Sequence, residues 1–386
     1  MYEHLNYGNE TSQNVSYTES LPNSMNITWK YAEKTNAFPA REGQCCCGHE
    51  KTLFVFGGVL HLQSEIEPHE SNDLLALDTG SMKWEKIEVK GTVPSPRATA
   101  SLVAVGKKLY LFGGLSHMSG WFDVMHEYDI ENKTWSEIQT TGTPPAQRDK
   151  VGGVAIGTNI YYFGGFGPKS AEADLDIYDS EEEGEDELPD GSASFGWFND
   201  LFVFDTVSRK WSQPMQKNLG GPTPRAAHGM CAVGTDLVIF GGRDTQCRRN
   251  DLHIFSTDTW KWKDCKVKGR HPEPRSFHST TAIGKRVVVM GGRGEKNQHF
   301  ADLHIFDTET MEWLQPKATG DLPKGRGQHS AGVVDDKLVL FGGTTDFNPE
   351  IMQCQTFYND TYVANIGDFM KGECTKSTNG HAESSS

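Results

Sequence analysis

Six Gly-Gly pairs, beginning at Gly57, Gly113, Gly164, Gly241, Gly291 and Gly342, each close an apolar run. Each has an arginine 16 residues ahead of it, at Arg41, Arg97, Arg148, Arg225, Arg275 and Arg326. Recurrence of this kind marks a repeated supersecondary unit that buries its apolar faces by stacking on its neighbours. Within a unit the stretch from Arg to Gly-Gly reads as two strands about a short turn. In Arg225-Ala-Ala-His-Gly-Met-Cys-Ala-Val-Gly-Thr-Asp-Leu-Val-Ile-Phe, Gly-Thr-Asp is the hairpin. A third strand follows, opened by Asn-Asp at Asn72, Asn199 and Asn250, then a turn and a fourth strand carrying Trp84, Trp135, Trp211, Trp262 or Trp313. Six four-stranded meanders predict an all-β, six-bladed β-propeller. In such a ring the paired glycines permit close backbone approach and the tryptophans fill the space between blades.

The last unit has its third strand at Asn359-Asp360-Thr-Tyr-Val-Ala-Asn, but no tryptophan follows it. Asn26-Ile-Thr-Trp29 leads through Phe38-Pro39-Ala-Arg41 much as the Trp84 strand leads to Pro96-Arg97, so the N-terminal segment is expected to supply the missing strand. That exchange removes an open sheet edge, which is otherwise an aggregation template. The expected organisation is a tail over 1–25, the propeller over 26–366 with an acidic insertion at 167–198, and a second tail over 367–386. The tails are rich in Ser, Asn, Thr and Gly and read as disordered.

A formal charge of −15 argues against nucleic-acid and anionic-membrane partners, which need a basic footprint. Residues 1–26 lack an apolar core of the signal-peptide type, and no run of about 18 apolar residues occurs, so the expectation is a soluble protein of the cytoplasm or nucleus. The sequons at Asn14, Asn26 and Asn132 then carry no information. Eight cysteines contain no Cys-x-x-Cys pair, and Cys45, Cys46 and Cys47 alternate faces of one strand, so buried thiols are expected rather than a metal site. No cofactor or metal is expected, nor catalysis: His61, His69 and Glu70 share a loop and read as solvated, with no Tyr/His/Cys set beside them.

The meander places the long, varied connections between second and third strands at the same end as each repeat arginine, which makes that end the expected binding face. On it, Arg243, Arg248 and Arg249 in the fourth unit and Arg293, Lys296 and His299 in the fifth form a basic sector. The third unit opposes it with Glu181 to Glu187, an acidic stretch too charged to fold alone and expected to be a solvated loop, with folding back over that sector in competition with ligand as the alternative. The repeat arginines are expected to tie neighbouring blades together, and His228, His278 and His329, each three residues later, to be structural.

The Gly-Gly, Arg and Trp positions resemble the kelch repeat over residues 26–366, which implies a six-bladed kelch β-propeller. Units three to five are similar to the kelch domain-containing protein 2 family. The similarity lies in Arg148-Asp-Lys150, Gly164-Gly-Phe166-Gly, Trp197-Phe198-Asn-Asp, Pro224-Arg-Ala-Ala-His228, Gly242-Arg243 through Arg248 to Asn250-Asp-Leu-His, and Arg275-Ser276-Phe-His278. That resemblance implies a substrate receptor that binds the free C-terminal carboxylate of client proteins ending in a diglycine degron, for ubiquitination by a cullin-2 ligase. It implies that Arg243, Arg248, Ser276 and Lys150 hold the carboxylate and that Phe166 and Phe198 line the peptide, where the family has Tyr and Trp. It also implies elongin B/C and cullin-2 as partners, although the stretch after Ile366 contains no amphipathic repeat of the length of their docking box. The competing expectation is a general kelch interaction scaffold, indifferent to C-termini.

Overall fold

The computed structural model describes residues 25–32, 38–61, 68–169, 194–218 and 220–370. Six antiparallel four-stranded sheets follow one another along the chain. Their first and second strands are Cys45–His49 and Thr52–Phe56, Ser101–Val105 and Lys108–Phe112, Gly152–Ile156 and Asn159–Phe163, Gly229–Val233 and Asp236–Arg243, Ser279–Ile283 and Arg286–Met290, and Ser330–Val334 and Lys337–Phe341. The first strand of every sheet lies against that of the next, and the sixth lies against the first, so the sheets form a ring. We number them blades 1 to 6.

Closure is by strand exchange. Asn26–Ala32 pairs antiparallel with Thr361–Asn365, Trp29 opposite Ala364 and Ala32 opposite Thr361, and supplies the outer strand of blade 6. Lys317–Gly320 then pairs in parallel on its far side. Blades 2 and 5 gain the same fifth strand from Lys90–Gly91 and Lys268–Gly269. At Gly91, Gly142, Gly269 and Gly320 a Cβ would collide with the carbonyl oxygen of the outer-strand tryptophan, and all four have positive φ. These positions therefore demand glycine. Blade 4 solves the problem differently: Asn218 donates to Trp262 O at 2.9 Å and accepts from Trp262 N at 2.9 Å.

Between blades, each tryptophan packs on the residue just before the preceding blade's Gly-Gly. Trp135 meets Phe56, Trp211 meets Phe112, Trp262 meets Phe163, Trp313 meets Phe240 and Trp84 meets Phe341, at centroid separations of 5.5, 5.1, 5.9, 5.0 and 4.5 Å. Trp29 closes the set in the cluster containing Met290. Tilted and edge-on contacts of this type add roughly 0.5–1.5 kcal/mol beyond burial alone.

The repeat arginines divide their work differently from the expectation. Each side chain bonds within its own blade, donating to the carbonyl of the first paired glycine at 2.9–3.2 Å. Five of them also pair with a third-strand aspartate of that blade: Asp73, Asp200, Asp251, Asp302 and Asp360. The inter-blade tie is made by the arginine main chain. Gly58 N–H donates to Arg97 O, Gly114 to Arg148, Gly165 to Arg225, Gly292 to Arg326 and Gly343 to Arg41, all at 2.8–3.0 Å. Burial makes a lone guanidinium costly; in blade 2, which lacks the aspartate, Arg97 keeps the ring contact that Arg148, Arg275 and Arg326 also make, stacking on Phe122 at 3.6 Å.

Two residues after each repeat arginine, Gly43, Thr99, Lys150, Ala227, Phe277 and Gln328 all have φ between 53° and 66°. Their main chains form a closed circuit of six hydrogen bonds, one per blade: Thr99 N to Gly43 O, Lys150 to Thr99, Ala227 to Lys150, Phe277 to Ala227, Gln328 to Phe277 and Gly43 to Gln328. Five non-glycine residues held in a left-handed conformation cost energy, and the circuit offsets it. These six line a central channel of about 140 Å³ together with the residues one further on, Gln44, Ala100, Val151, His228, His278 and His329.

Chain order extends beyond the expected end of the propeller: Ile366–Met370 is a short helix whose Phe369 is fully buried against blades 5 and 6. Apolar Ile366 and Phe369 flank polar positions, a pattern too short to be read as a helix in sequence. The ends of the blade-3 insertion are likewise ordered, Phe166–Lys169 pairing with Ser194–Trp197. Residues 170–193, with the acidic run Glu181 to Glu187, and the tail residues 1–24 and 371–386 lie outside the described residues.

Candidate functional site

The residue after each repeat arginine bridges, through its main chain, to the residue after Gly-Gly, which in turn pairs with the returning limb of the same loop. The mouth of the ring is therefore built from six triplets. They are Glu42, Val59 and Glu70; Ala98, Leu115 and Trp121; Asp149, Phe166 and Trp197; Ala226, Arg243 and Arg248; Ser276, Arg293 and His299; Gly327, Thr344 and Phe357. One architecture thus presents an acidic sector in blade 1, an aromatic one in blades 2 and 3, and a basic one in blades 4 and 5.

In the basic sector Arg243 stands opposite Arg248 across the blade-4 hairpin, and Ser276 opposite Arg293 in blade 5. Arg248 is only 6% exposed. Its Nε donates to Ser276 Oγ at 3.0 Å and a terminal nitrogen to Asn297 Oδ1 at 3.3 Å, while its main-chain N–H donates to Glu295. Arg293 lies over the Phe347 ring at 4.1 Å and near Phe277 at 5.6 Å, and its Nε is buried with no hydrogen-bond partner among the described residues. Arg243 is exposed. Among the described residues none of these three guanidinium groups forms an ion pair, although neighbouring Arg249 is paired with Asp244 and each repeat arginine but Arg97 with its aspartate.

Burial and mutual repulsion show in the proton affinities. Burial, followed by the charges of Arg293 and Arg243, pulls Arg248 down to about 10. Burial also lowers Arg293, with Arg243 adding to the effect. His299 is depressed to about 4 by burial and by Arg293, and so stays neutral. All three arginines remain charged at neutral pH. A nearly buried guanidinium held by a serine and an asparagine can still donate from its remaining N–H groups to a carboxylate.

The structure thus brings Arg243, Arg248 and Ser276 together. It adds Arg293, which the sequence places in the basic loop without showing that it turns inward; its register opposite Ser276 is what aims it there. Lys150 reaches the same mouth from the neighbouring blade, where Ala227 N–H donates to Lys150 O at 3.2 Å, but its ammonium is held by Asp149. Asp149 also accepts from Thr99 at 3.0 Å and from Trp121 Nε1 at 3.2 Å. Phe166 packs edge-on against Trp197 at 5.0 Å and 6.2 Å from Trp121, and Phe195, 52% exposed, extends this wall. One face of Phe198 is covered by Arg148 at 3.9 Å, just as Phe300 carries Arg275 and Tyr358 carries Arg326. Trp121 and Trp197 are the lining residues that the repeat pattern does not reveal, because they fall in the variable loops.

The channel histidines are buried and neutral: burial, with the adjacent repeat arginine, pushes His228 and His329 down to about 3 and His278 well below its ordinary value. His228 and His278 pack edge-on against Phe163 and Phe240 of the preceding blades. Burial also raises the Cys45, Cys46 and Cys47 thiols, Cys46 to about 11. His61 is not solvated as expected; it stacks on Phe357 at 3.3 Å and sits 3.4 Å from Glu42. Among the described residues no group of three or more His, Cys, Asp or Glu side chains is placed to hold a metal ion, and no helix is long and apolar enough to cross a membrane.

A family model described as the KLHDC2/KLHL20/DRC7 Kelch-repeats domain matches residues 8–185 and 184–379. The chain belongs to the kelch-repeat family. Kelch domain-containing protein 1 of Mus musculus is 30% identical over 238 residues, 60% of this chain and 57% of that protein. Kelch domain-containing protein 1 of Homo sapiens is 30% identical over 316 residues, 79% of this chain and 76% of that protein. Kelch domain-containing protein 2 of Bos taurus is 31% identical over 252 residues, 63% of this chain and 60% of that protein. For the mouse and bovine proteins the match spans little more than half of the relative's length. Kelch repeats form protein-interaction domains.

Proposed function

We propose that this kelch propeller is a peptide receptor whose mouth binds the free C-terminal carboxylate of a client protein, glycine last. The carrying observation is the cluster of exposed Arg243 with buried Arg248 and half-buried Arg293, none of them in an ion pair among the described residues, with Arg248 fixed on Ser276 and Asn297. An isolated buried cation is unfavourable, and an anion entering the site relieves that penalty. Terminal glycine suits the site because a backbone clamped between arginine forks leaves no room for a side chain. The aromatic wall of Trp121, Phe166 and Trp197 offers apolar surface to the preceding peptide units. Likeness to kelch domain-containing protein 2 supports the further reading that the receptor serves a cullin-2 ubiquitin ligase through elongin B/C. Co-purification of those subunits with the full chain tests that part.

Fluorescence-polarisation titration of a peptide ending in Gly-Gly tests the site. Charge-assisted hydrogen bonds contribute roughly 1.5–3 kcal/mol each, so Arg248→Ala is expected to weaken binding about 10- to 150-fold. Unchanged affinity in a folded Arg248→Ala protein rejects the assignment. A second reading, a scaffold for a folded partner, draws on exposed Phe195 and the breadth of the mouth. Partner capture that survives loss of both Arg243 and Arg248 favours it.

A further inference from the structure

Beside the arginine cluster, a cleft of about 940 Å³ runs from Arg293 and Phe277 past Gln328 to the blade-1 residues Glu42 and Glu70. Pockets that enclose ligands occupy roughly 300–1,000 Å³, so this cleft can take several peptide units beyond those at the arginines. Its electrostatics are polarised. Arg293 at one end is the one lysine or arginine lining it, and the only carboxylates lining it are Glu42 and Glu70, at the other end, among the described residues.

Among the described residues neither glutamate forms an ion pair with a lysine or arginine, although Glu42 is near enough to Arg293 to act on its charge. Glu42 accepts from the Gln328 amide at 2.9 Å and lies 3.4 Å from His61 Nε2. Glu70 accepts from the main-chain N–H of His117 at 3.0 Å and from its ring at 2.5 Å; that ring is 85% exposed, a partner that a ligand displaces readily. These contacts lower the Glu70 carboxyl below its usual range, keeping it ionised. Between the two charged ends the lining offers apolar Val59, Phe347 and Phe357 beside the polar Gln328 and Gln353. A polarised trough of this shape fits a chain that carries its negative charge at one end and a positive charge further back.

We infer that the blade-1 end of the cleft, Glu42 with Glu70, is a specificity site for a lysine or arginine side chain upstream of the client's C-terminal carboxylate. This rests on the carboxylate-receptor reading and sharpens it from any accessible C-terminus to one preceded by a basic residue. The apolar part of the lining accommodates the aliphatic stem of such a side chain while its head reaches the glutamates. Arg293 at the opposite end repels the same charge, so the cleft also sets the direction in which the peptide lies.

The test scans one Gly-Gly-ended peptide with Lys, Ala or Glu at each position before the terminal pair and measures Kd at low and moderate salt. At one position or two adjacent ones, Lys is expected to bind about 5- to 10-fold tighter than Ala, and Glu weaker than Ala, with a spread that narrows as salt rises. In Glu42→Gln/Glu70→Gln the Lys-to-Ala ratio at that position is expected to approach one, and in Glu70→Lys to invert in favour of Glu. Circular dichroism melts confirm that the variants are folded. Equal Kd values for the Lys, Ala and Glu peptides in the unaltered protein, or a Lys preference that persists in the double glutamine variant, overturn the inference. Failure of the underlying reading has a different signature: the acid and amide forms of the Ala peptide bind alike.

Discussion

Arg248 shows how one side chain sets a blade apart from its repeat. In blades 2 and 3 the same triplet position holds Trp121 and Trp197, and in blade 4 an arginine fills it, nearly buried and held by Ser276 of the next blade. A lysine there keeps the charge but not the planar fork, so Arg248→Lys is expected to lose about tenfold in peptide affinity while Arg249→Lys, at an arginine already paired with Asp244, changes it little. The polarisation titration described above reads both. The channel histidines make a second residue-scale prediction. Their proton affinities fall on folding, so between about pH 6.5 and pH 4 the unfolded chain takes up protons that the folded ring refuses, and stability drops as pH falls. Each contributes up to about 1.4 kcal/mol per pH unit in that window. Asp251 and Asp302, held below the usual carboxylate range despite burial by Arg225 and Arg275 with their histidine neighbours, lose their contribution only below about pH 4. Chemical denaturation from pH 7 to pH 4.5 is expected to give a shallower pH slope for His278→Gln than for the unaltered protein. Parallel slopes contradict the account.

Strands, turns and their junctions were the most legible elements, because each is dictated by a residue with few substitutes. Gly-Gly, the arginine 16 residues earlier and the outer-strand tryptophan mark every blade, and the orphaned third strand at Asn359 pointed to Asn26–Ala32 as its completion. Other features depend on register rather than type and were not legible. Nothing in the sequence of Thr99, Lys150, Ala227, Phe277 and Gln328 announces a shared left-handed conformation, since only their partners around the ring impose it. The arginines' division between own-blade side-chain bonds and neighbour-blade main-chain bonds is hidden for the same reason. The fifth-strand glycines are readable from position: each lies a few residues before the proline-containing approach to the next repeat arginine. Gly142→Ala forces a Cβ into the Trp211 carbonyl at positive φ and is expected to destabilise the protein by roughly 1–3 kcal/mol, whereas Gly106→Ala, with open space around it, costs less. Denaturant titration of the two variants checks the order. Deleting residues 26–32 uncovers the edge at Thr361–Asn365 and is expected to yield a broadened, less cooperative melt with aggregation.

At the scale of the molecule, a ring of equivalent blades gives each loop the same approach to one axis, so function is written by which blade carries which side chain. The described mouth runs from the carboxylates of blade 1 through the aromatic rings of blades 2 and 3 to the arginines of blades 4 and 5. Only its basic part could be read as a cluster from loop composition; the roles of Arg243, Arg248 and Ser276 came with the family resemblance, and Arg293 needed the fold. The overall negative charge of −15 disfavours anionic surfaces, against which the basic sector of blades 4 and 5 stands out. The most direct measurement is the affinity of one Gly-Gly-ended peptide as its free acid and as its C-terminal amide, determined side by side by fluorescence polarisation. The account predicts saturable binding of the acid and a loss of at least about a hundredfold for the amide, which lacks the charge that the arginines receive. Equal binding of the two forms contradicts it.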